Sequence, residues 1–136
     1  MNKKIRVLVI GCGNMGASHA TAYHNHKGFE ICGLVSRGES KNILNTSLSS
    51  NYHTFSDYKL AISETNPDAV CISTYPDTHE EISLHALDNN CHIFLEKPIA
   101  ADLVGSRKII NKAEEVNKKL VVGLSLIHIS EPTRRY

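Results

Sequence analysis

The amino-acid sequence predicts an α/β fold built on a doubly wound, mostly parallel sheet in a single domain. Short and nearly continuous apolar runs, which suit strands covered on both faces, alternate with polar stretches of helical spacing. The 136 residues are enough for one such domain but too few for two of ordinary size. No internal repeat or linker-like stretch divides the chain.

The order of the predicted elements follows from these runs and stretches. Apolar runs place strands at 5–10, 30–35, 69–74, 92–95 and 120–124. Helical spacing places helices at 14–27, 39–48, 57–65, 78–89 and 103–118. The last helix has the clearest signal, because Asp102 can cap its N-terminus and its apolar residues share one side. Pro67 and Pro98 lie outside the strands and interrupt no ladder.

Composition and charge exclude several classes of partner. The chain is 41% apolar and 21% charged, with a formal net charge of +1, so it offers no electrostatic basis for binding nucleic acid or an anionic membrane. The basic start is followed by an apolar run, Ile5–Ile10, that is too short for a signal-peptide core. We therefore expect a cytoplasmic protein.

The cysteines and histidines do not have the spacing of a metal site. The four cysteines contain no C-x-x-C pair, and buried, reduced thiols are the expectation. His24 and His26 are two residues apart, but no third ligand accompanies them, and the same holds for His85 and His92. No metal is predicted.

A glycine-rich turn follows the first predicted strand. Gly11, Gly13 and Gly16 form G-x-G-x-x-G at the start of the first helix, where free N–H groups near Cys12, Asn14 and Met15 can face an anion. Alone, the pattern is compatible with a merely flexible turn. Directly after the first strand of an alternating pattern, it is the fingerprint of a Rossmann dinucleotide site.

The end of the second predicted strand bears on which dinucleotide binds. The position where NAD-preferring domains carry an acidic residue is occupied by Ser36, and Arg37 follows. A serine does not repel a 2′-phosphate and an arginine pairs with it, and Ser40 and Lys41 add donors, so NADP is favoured over NAD. Two alternatives remain: Arg37 stacks on the adenine of either cofactor, or Glu39 takes the ribose.

Two further motifs carry a family resemblance. STYPDTHEE (73–81) and FLEKPIA (94–100) each end a predicted strand, at the edge where open α/β sheets bind ligands. Together with the glycine turn, over about residues 4–123, they resemble the N-terminal domain of the Gfo/Idh/MocA oxidoreductases. Tyr75 departs from the family pattern, where a proline is common.

The resemblance implies roles for individual residues. Thr74, Tyr75 and His79 are expected to line the cofactor cleft together with Glu96, and Lys97 to be the catalytic lysine. An ammonium beside the substrate hydroxyl stabilises charge on that oxygen during hydride transfer and helps relay its proton. Without the resemblance, Lys97 reads as an exposed turn lysine, and His79 as a helix-start residue making local hydrogen bonds.

The resemblance also implies a larger parent protein. We expect a homo-oligomeric, NAD(P)-dependent oxidoreductase that acts on a sugar, polyol or related substrate. In the family, a second domain supplies the acid–base residues, and the sequence after residue 123 does not resemble that domain. The chain as given is then expected to bind the dinucleotide weakly, if at all, and to catalyse nothing. A dinucleotide-binding sensor or co-repressor without turnover, and a Rossmann reductase of the biliverdin or dihydrodipicolinate reductase kind, are the alternatives.

The last residues differ in kind from the rest. LSLIHISEPTR, residues 124–134, is similar to the in-frame translation of a transposase adapter used in sequencing libraries. We therefore expect a dinucleotide-binding domain over 1–123 and a non-native tail over 124–136. The alternative is a natural extension of the last strand, since LSLIHIS alternates in hydrophobicity.

Overall fold

Residues 3–123 are described here from a computed structural model. They form an α/β domain with a six-stranded, all-parallel sheet, which confirms the predicted fold class. The strands are β1 Ile5–Ile10, β2 Phe29–Val35, β3 Thr54–Phe55, β4 Ala69–Ile72, β5 His92–Leu95 and β6 Leu120–Val122. The helices are α1 Asn14–Asn25, α2 Ser40–Ser47, α3 Tyr58–Thr65, α4 Pro76–Asp88 and α5 Leu103–Glu115. The predicted tail at 124–136 lies outside the described residues.

The strand order is β3-β2-β1-β4-β5-β6. The chain moves outward from β1 to β3, then returns to the other side of β1 with β4 and moves outward again. The loops after β1 and after β4 therefore leave the sheet in opposite directions. This switch point opens a crevice at the carboxyl edge of the sheet, which is the ligand position in open α/β folds.

The two faces of the sheet carry separate apolar layers. Along β1, Val7 and Val9 point to one face, and Leu8 and Ile10 point to the other. Helices α1 and α2 cover the first face, and α3, α4 and α5 cover the second. All four side chains are at most 2% exposed, so the second half of β1 is covered on both faces and its end is held rigidly.

The differences from the sequence prediction are confined to short or terminal segments. Strand β3 was not predicted, because only Thr54 and Phe55 pair with β2 and a pattern of two residues has no periodicity. Strand β4 ends at Ile72 rather than at residue 74, and α4 begins at Pro76 rather than at residue 78. Proline suits the first turn of a helix, where its missing N–H costs nothing.

Within residues 3–123, no helix has the length and apolar character needed to cross a membrane.

Candidate functional site

The glycine turn between β1 and α1 is the centre of the crevice, and two of its glycines are required by the fold itself. Gly11 has φ +97°, and a Cβ placed on it would lie 2.5 Å from the Ser73 carbonyl oxygen. A Cβ on Gly16 would lie 1.8 Å from the Gly11 carbonyl oxygen. Both positions therefore let backbone segments approach more closely than any side chain allows.

Gly13 differs from Gly11 and Gly16, because no contact within residues 3–123 requires it to be glycine. Its φ is −72°, and a Cβ there would meet no atom within 4 Å. It is also the N-cap of α1, and no side chain caps the helix or places an acidic group in its first turn. Unsatisfied N–H groups and the helix dipole thus face open space, an arrangement that fits a phosphate group.

The remaining residues of the turn contribute unequally. Asn14 and Met15 are exposed at the start of α1, and 49% of Met15 is accessible. Cys12 instead turns inward, with Sγ donating to the Val35 carbonyl at 3.5 Å. Burial raises the pKa of its thiol to about 11, despite the nearby Lys41 ammonium, so the thiol stays protonated. Only the backbone of Cys12 can meet a ligand in the crevice.

Ser36 and Lys41 hold together the turn after β2. Ser36 Oγ donates to the Gly38 carbonyl and accepts from the Lys41 N–H, each at 3.1 Å. The Lys41 ammonium donates to the carbonyls of Ser36 and Gly38, at 3.0 and 2.6 Å, and the residue is 8% exposed. Arg37 is exposed, and Glu39 accepts from the Asn42 amide at 2.9 Å. Two cationic side chains, those of Arg37 and Lys41, therefore lie in or next to the turn after β2.

Thr74 and Tyr75 form the rim after β4. The Thr74 hydroxyl lies 2.6 Å from that of Thr78, which donates to the Tyr75 carbonyl at 2.7 Å. Tyr75 occupies the N-cap position of α4, and 81% of it is exposed. The threonine pair fixes the loop, whereas the phenol ring remains free to contact a ligand.

His79 lies beneath this rim rather than on it. The residue is fully buried, with Nδ1 2.9 Å from the Pro98 carbonyl oxygen and Nε2 3.1 Å from the Thr74 carbonyl oxygen. It therefore connects the loop after β4 to the loop after β5. The contact with the nearby Thr74 carbonyl agrees with the expectation of local hydrogen bonds at the helix start, whereas the contact with Pro98 was not predicted. The role in the cofactor cleft that the resemblance implies stays a prediction.

Glu96 and Lys97 follow β5 directly. The Glu96 N–H donates to the Ile72 carbonyl at 3.0 Å, which continues the pairing with β4 past the end of the strand. Lys97 is exposed, and its peptide bond to Pro98 is cis. The Glu96 carboxylate is largely buried and lies 3.5 Å from His19 Nε2. The sheet thus brings Lys97 to the same edge as the glycine turn.

Sequence reasoning missed His19, which lies on α1 facing the end of β5. The signal was present in the spacing, since His19 and Tyr23 are four residues apart and share a helix face with Gly16 and Ala20. Among residues 3–123, no group of three or more His, Cys, Asp or Glu side chains is arranged to hold a metal ion.

Comparison with known proteins gives the same picture. The model of the Gfo/Idh/MocA oxidoreductases, described as an oxidoreductase family with an NAD-binding Rossmann fold, matches residues 5–124. An inositol 2-dehydrogenase/D-chiro-inositol 3-dehydrogenase of Lacticaseibacillus casei is 29% identical over 119 residues, which cover 86% of this chain and 34% of that protein.

Two solved structures extend this likeness. A UDP-N-acetylglucosamine 3-dehydrogenase from Acidithiobacillus ferrooxidans superposes with a TM-score of 0.77 at 26% identity, covering 89% of this chain and 38% of the other. A myo-inositol 2-dehydrogenase from Lactobacillus plantarum superposes with a TM-score of 0.82 at 23% identity, covering 89% and 36%. The chain spans about a third of the length of the curated relatives it matches.

Proposed function

The chain belongs to the Gfo/Idh/MocA oxidoreductase family, with its NAD-binding Rossmann fold, and on that premise we propose that it binds a nicotinamide dinucleotide across the crevice and serves hydride transfer to or from a carbohydrate or polyol. The observation that carries the proposal is Gly13. The fold does not need a glycine there, yet the position opens onto an uncapped helix N-terminus. A pyrophosphate accounts for both features.

The strand order supports an orientation for the dinucleotide. With the pyrophosphate at the start of α1, the adenosine half extends toward the turn after β2, where Ser36 and Arg37 lie. The nicotinamide half then extends over the ends of β4 and β5, toward Thr74, Tyr75 and Lys97. When bound, the dinucleotide supplies the hydride chemistry, and this chain supplies binding and orientation.

Lys97 is the catalytic residue in this proposal. Its exposed side chain starts at the end of β5, on the side of the crevice assigned to the nicotinamide. An ammonium there stabilises negative charge on a substrate oxygen and donates a proton to it or withdraws one. Within residues 3–123 no carboxylate forms a salt bridge with Lys97, so its ammonium remains available to a substrate oxygen.

The names of the relatives support the substrate class. The L. casei relative is named for inositols and the A. ferrooxidans structure for a nucleotide sugar, so a hydroxyl on a polyol or sugar ring is the substrate proposed for the full protein. The four free cysteines, three of them buried, fit a reducing compartment such as the cytoplasm.

NADP is the dinucleotide we favour. Arg37 and Lys41 bring positive charge to the end of β2, and Glu39 is bonded to Asn42 instead of being directed at a ribose. The Ser36 hydroxyl already donates within the turn. Ser36 therefore favours NADP mainly because it carries no carboxylate that would repel the 2′-phosphate, and less because it donates a hydrogen bond. A phosphate at this position gains most from the two cations.

Titration of the full-length protein with NADPH and NADH tests both parts of the proposal. We expect NADPH to bind more tightly, and Ser36→Asp to weaken NADPH about tenfold or more while NADH affinity is retained, because a carboxylate repels the 2′-phosphate. Tighter binding of NADH by the unaltered protein would refute the NADP assignment. Binding of neither dinucleotide would refute the site itself.

A further inference from the structure

We propose that His19 is a positioning residue for the nicotinamide half of the site, because it fixes Glu96 and thereby the strand end that carries Lys97. The inference rests on the proposed function. His19 lies on α1, the helix whose N-terminus is assigned to the pyrophosphate, and Glu96 directly precedes Lys97. The contact of 3.5 Å between Nε2 and Oε1 joins residues 77 positions apart.

The Glu96 carboxylate has few alternative partners. Its side chain is 17% exposed and that of His19 is 12% exposed, so the contact is largely shielded from water. The other carboxylate oxygen, Oε2, is buried and has no hydrogen-bond partner among the described residues. A buried carboxylate is stable only where hydrogen bonds or charges compensate it. The orientation of Glu96 therefore depends on His19.

Among residues 3–123, those that line the cavity beside the pair carry no further charge. His19 and Glu96 line a cavity of about 10 Å³ together with Tyr23, Cys71 and Phe94. Burial raises the pKa of the Tyr23 phenol and raises that of the Cys71 thiol to about 12, so both groups stay neutral. A cavity of this size admits roughly one water molecule and no larger group.

The fold of α1 does not depend on the pair. Ala20 and Tyr23 anchor the helix from the same side, at 0% and 6% exposure. The Tyr23 ring packs against Phe29 and Phe94, with centroids 4.9 and 5.9 Å apart. Removing the imidazole leaves these contacts in place. The loss is then expected at the end of β5, where Glu96 and Lys97 face the nicotinamide half.

A comparison of two ligands separates positioning from general stability. NADPH reaches both halves of the crevice, whereas 2′-phospho-ADP-ribose lacks the nicotinamide and reports the adenosine half and the pyrophosphate. We expect His19→Ala to lower the affinity for NADPH about tenfold. The affinity for 2′-phospho-ADP-ribose should fall less than about twofold. His19→Gln, which keeps an N–H donor near the carboxylate, should recover most of the NADPH affinity.

His24→Ala is the matched control. It removes a histidine from the same helix together with a 2.6 Å contact to the Tyr52 hydroxyl, but it lies away from the crevice. We expect neither ligand to be affected. Equal weakening of both ligands by His19→Ala, or no weakening of NADPH, would overturn the positioning role. If the unaltered protein binds 2′-phospho-ADP-ribose and NADPH with equal affinity, the nicotinamide contributes nothing to binding and the inference fails. If the protein binds neither ligand, the proposed function itself fails.

Discussion

Substituting the glycines of the turn one at a time should separate folding from binding. In Gly16→Ala the new methyl carbon meets the Gly11 carbonyl oxygen at 1.8 Å, more than an ångström inside the 3.0 Å that real Cβ contacts respect. The backbone at Gly11 cannot shift easily, because its N–H is bonded to the Val35 carbonyl at 2.9 Å and the Ser73 backbone lies close to its Cα. Overpacking against side chains costs about 1–3 kcal/mol, and a backbone carbonyl can move less than a side chain. We therefore expect Gly16→Ala to lower the free energy of unfolding by about 3 kcal/mol or more.

In Gly13→Ala the methyl group enters open space instead. The backbone at Gly13, φ −72° and ψ −162°, is allowed for alanine, and a Cβ there meets no atom of a non-adjacent residue within 4 Å in the described part of the chain. The cost is limited to the weaker N-cap preference of alanine, at most about 1 kcal/mol. For a domain of this size we expect the melting temperature to fall by about 10–15 °C for Gly16→Ala and by less than about 5 °C for Gly13→Ala.

The order of the two effects reverses for the ligand. In Gly13→Ala the methyl group occupies the space assigned to the pyrophosphate, so NADPH affinity should fall at least about tenfold in a protein that remains folded. Thermal unfolding followed by circular dichroism, and titration of the same samples, measure the two quantities. Unchanged NADPH affinity in Gly13→Ala would show that the ligand does not approach this turn. An unchanged melting temperature in Gly16→Ala would contradict the close backbone approach.

Three further predictions concern stability and reactivity. Burial raises the pKa of Cys12 and Cys91 to about 11 and that of Cys71 to about 12, so a thiol reagent at pH 8 should find about a thousandth or less of these groups ionised, and labelling should become rapid only in denaturant. Burial lowers the pKa of His92, so the neutral side chain contributes stability above the unfolded pKa of 6.5, and this contribution is lost as the pH falls below that value. Between pH 7.5 and about 5.5, the melting temperature of His92→Gln should therefore fall less than that of the unaltered protein. Asp102 accepts from the Gly105 N–H at 2.7 Å at the start of α5, so Asp102→Ala should cost about 1 kcal/mol of unfolding free energy, measurable in urea, and Asp102→Asn much less.

The sequence was sufficient for those parts of the fold that depend on local pattern. Strand β1 and the glycine turn were predicted at their observed positions, because apolar continuity and glycine spacing are properties of neighbouring residues. Asp102 was predicted as a helix cap and accepts the expected backbone hydrogen bond. Strand β3 was not predicted, since Thr54 and Phe55 become a strand only through their pairing with β2.

The sequence predicted which residues belong to the candidate site, and that membership stays a prediction, but it did not predict the contacts among them. Spacing and family resemblance indicated Ser36, His79 and Glu96, but gave no information about which groups they contact. The Ser36 hydroxyl bonds within its own turn, His79 bridges two carbonyls, and Glu96 faces His19 on a distant helix. Such contacts arise from the packing of α1 and α4 against the sheet, which residue spacing along the chain does not encode.

The His79 bridge has a consequence for motion at the rim of the crevice. Because one buried ring lies between the carbonyl oxygens of Thr74 and Pro98, 3.1 and 2.9 Å from its two nitrogens, the loops after β4 and β5 are expected to open together and not independently. The turn after β2 is closed separately, by Lys41. The two sides of the crevice are then expected to move independently of each other, and a long ligand can bind to one side before it contacts the other. Hydrogen exchange should accordingly show two protection levels, one shared by both His79-linked loops.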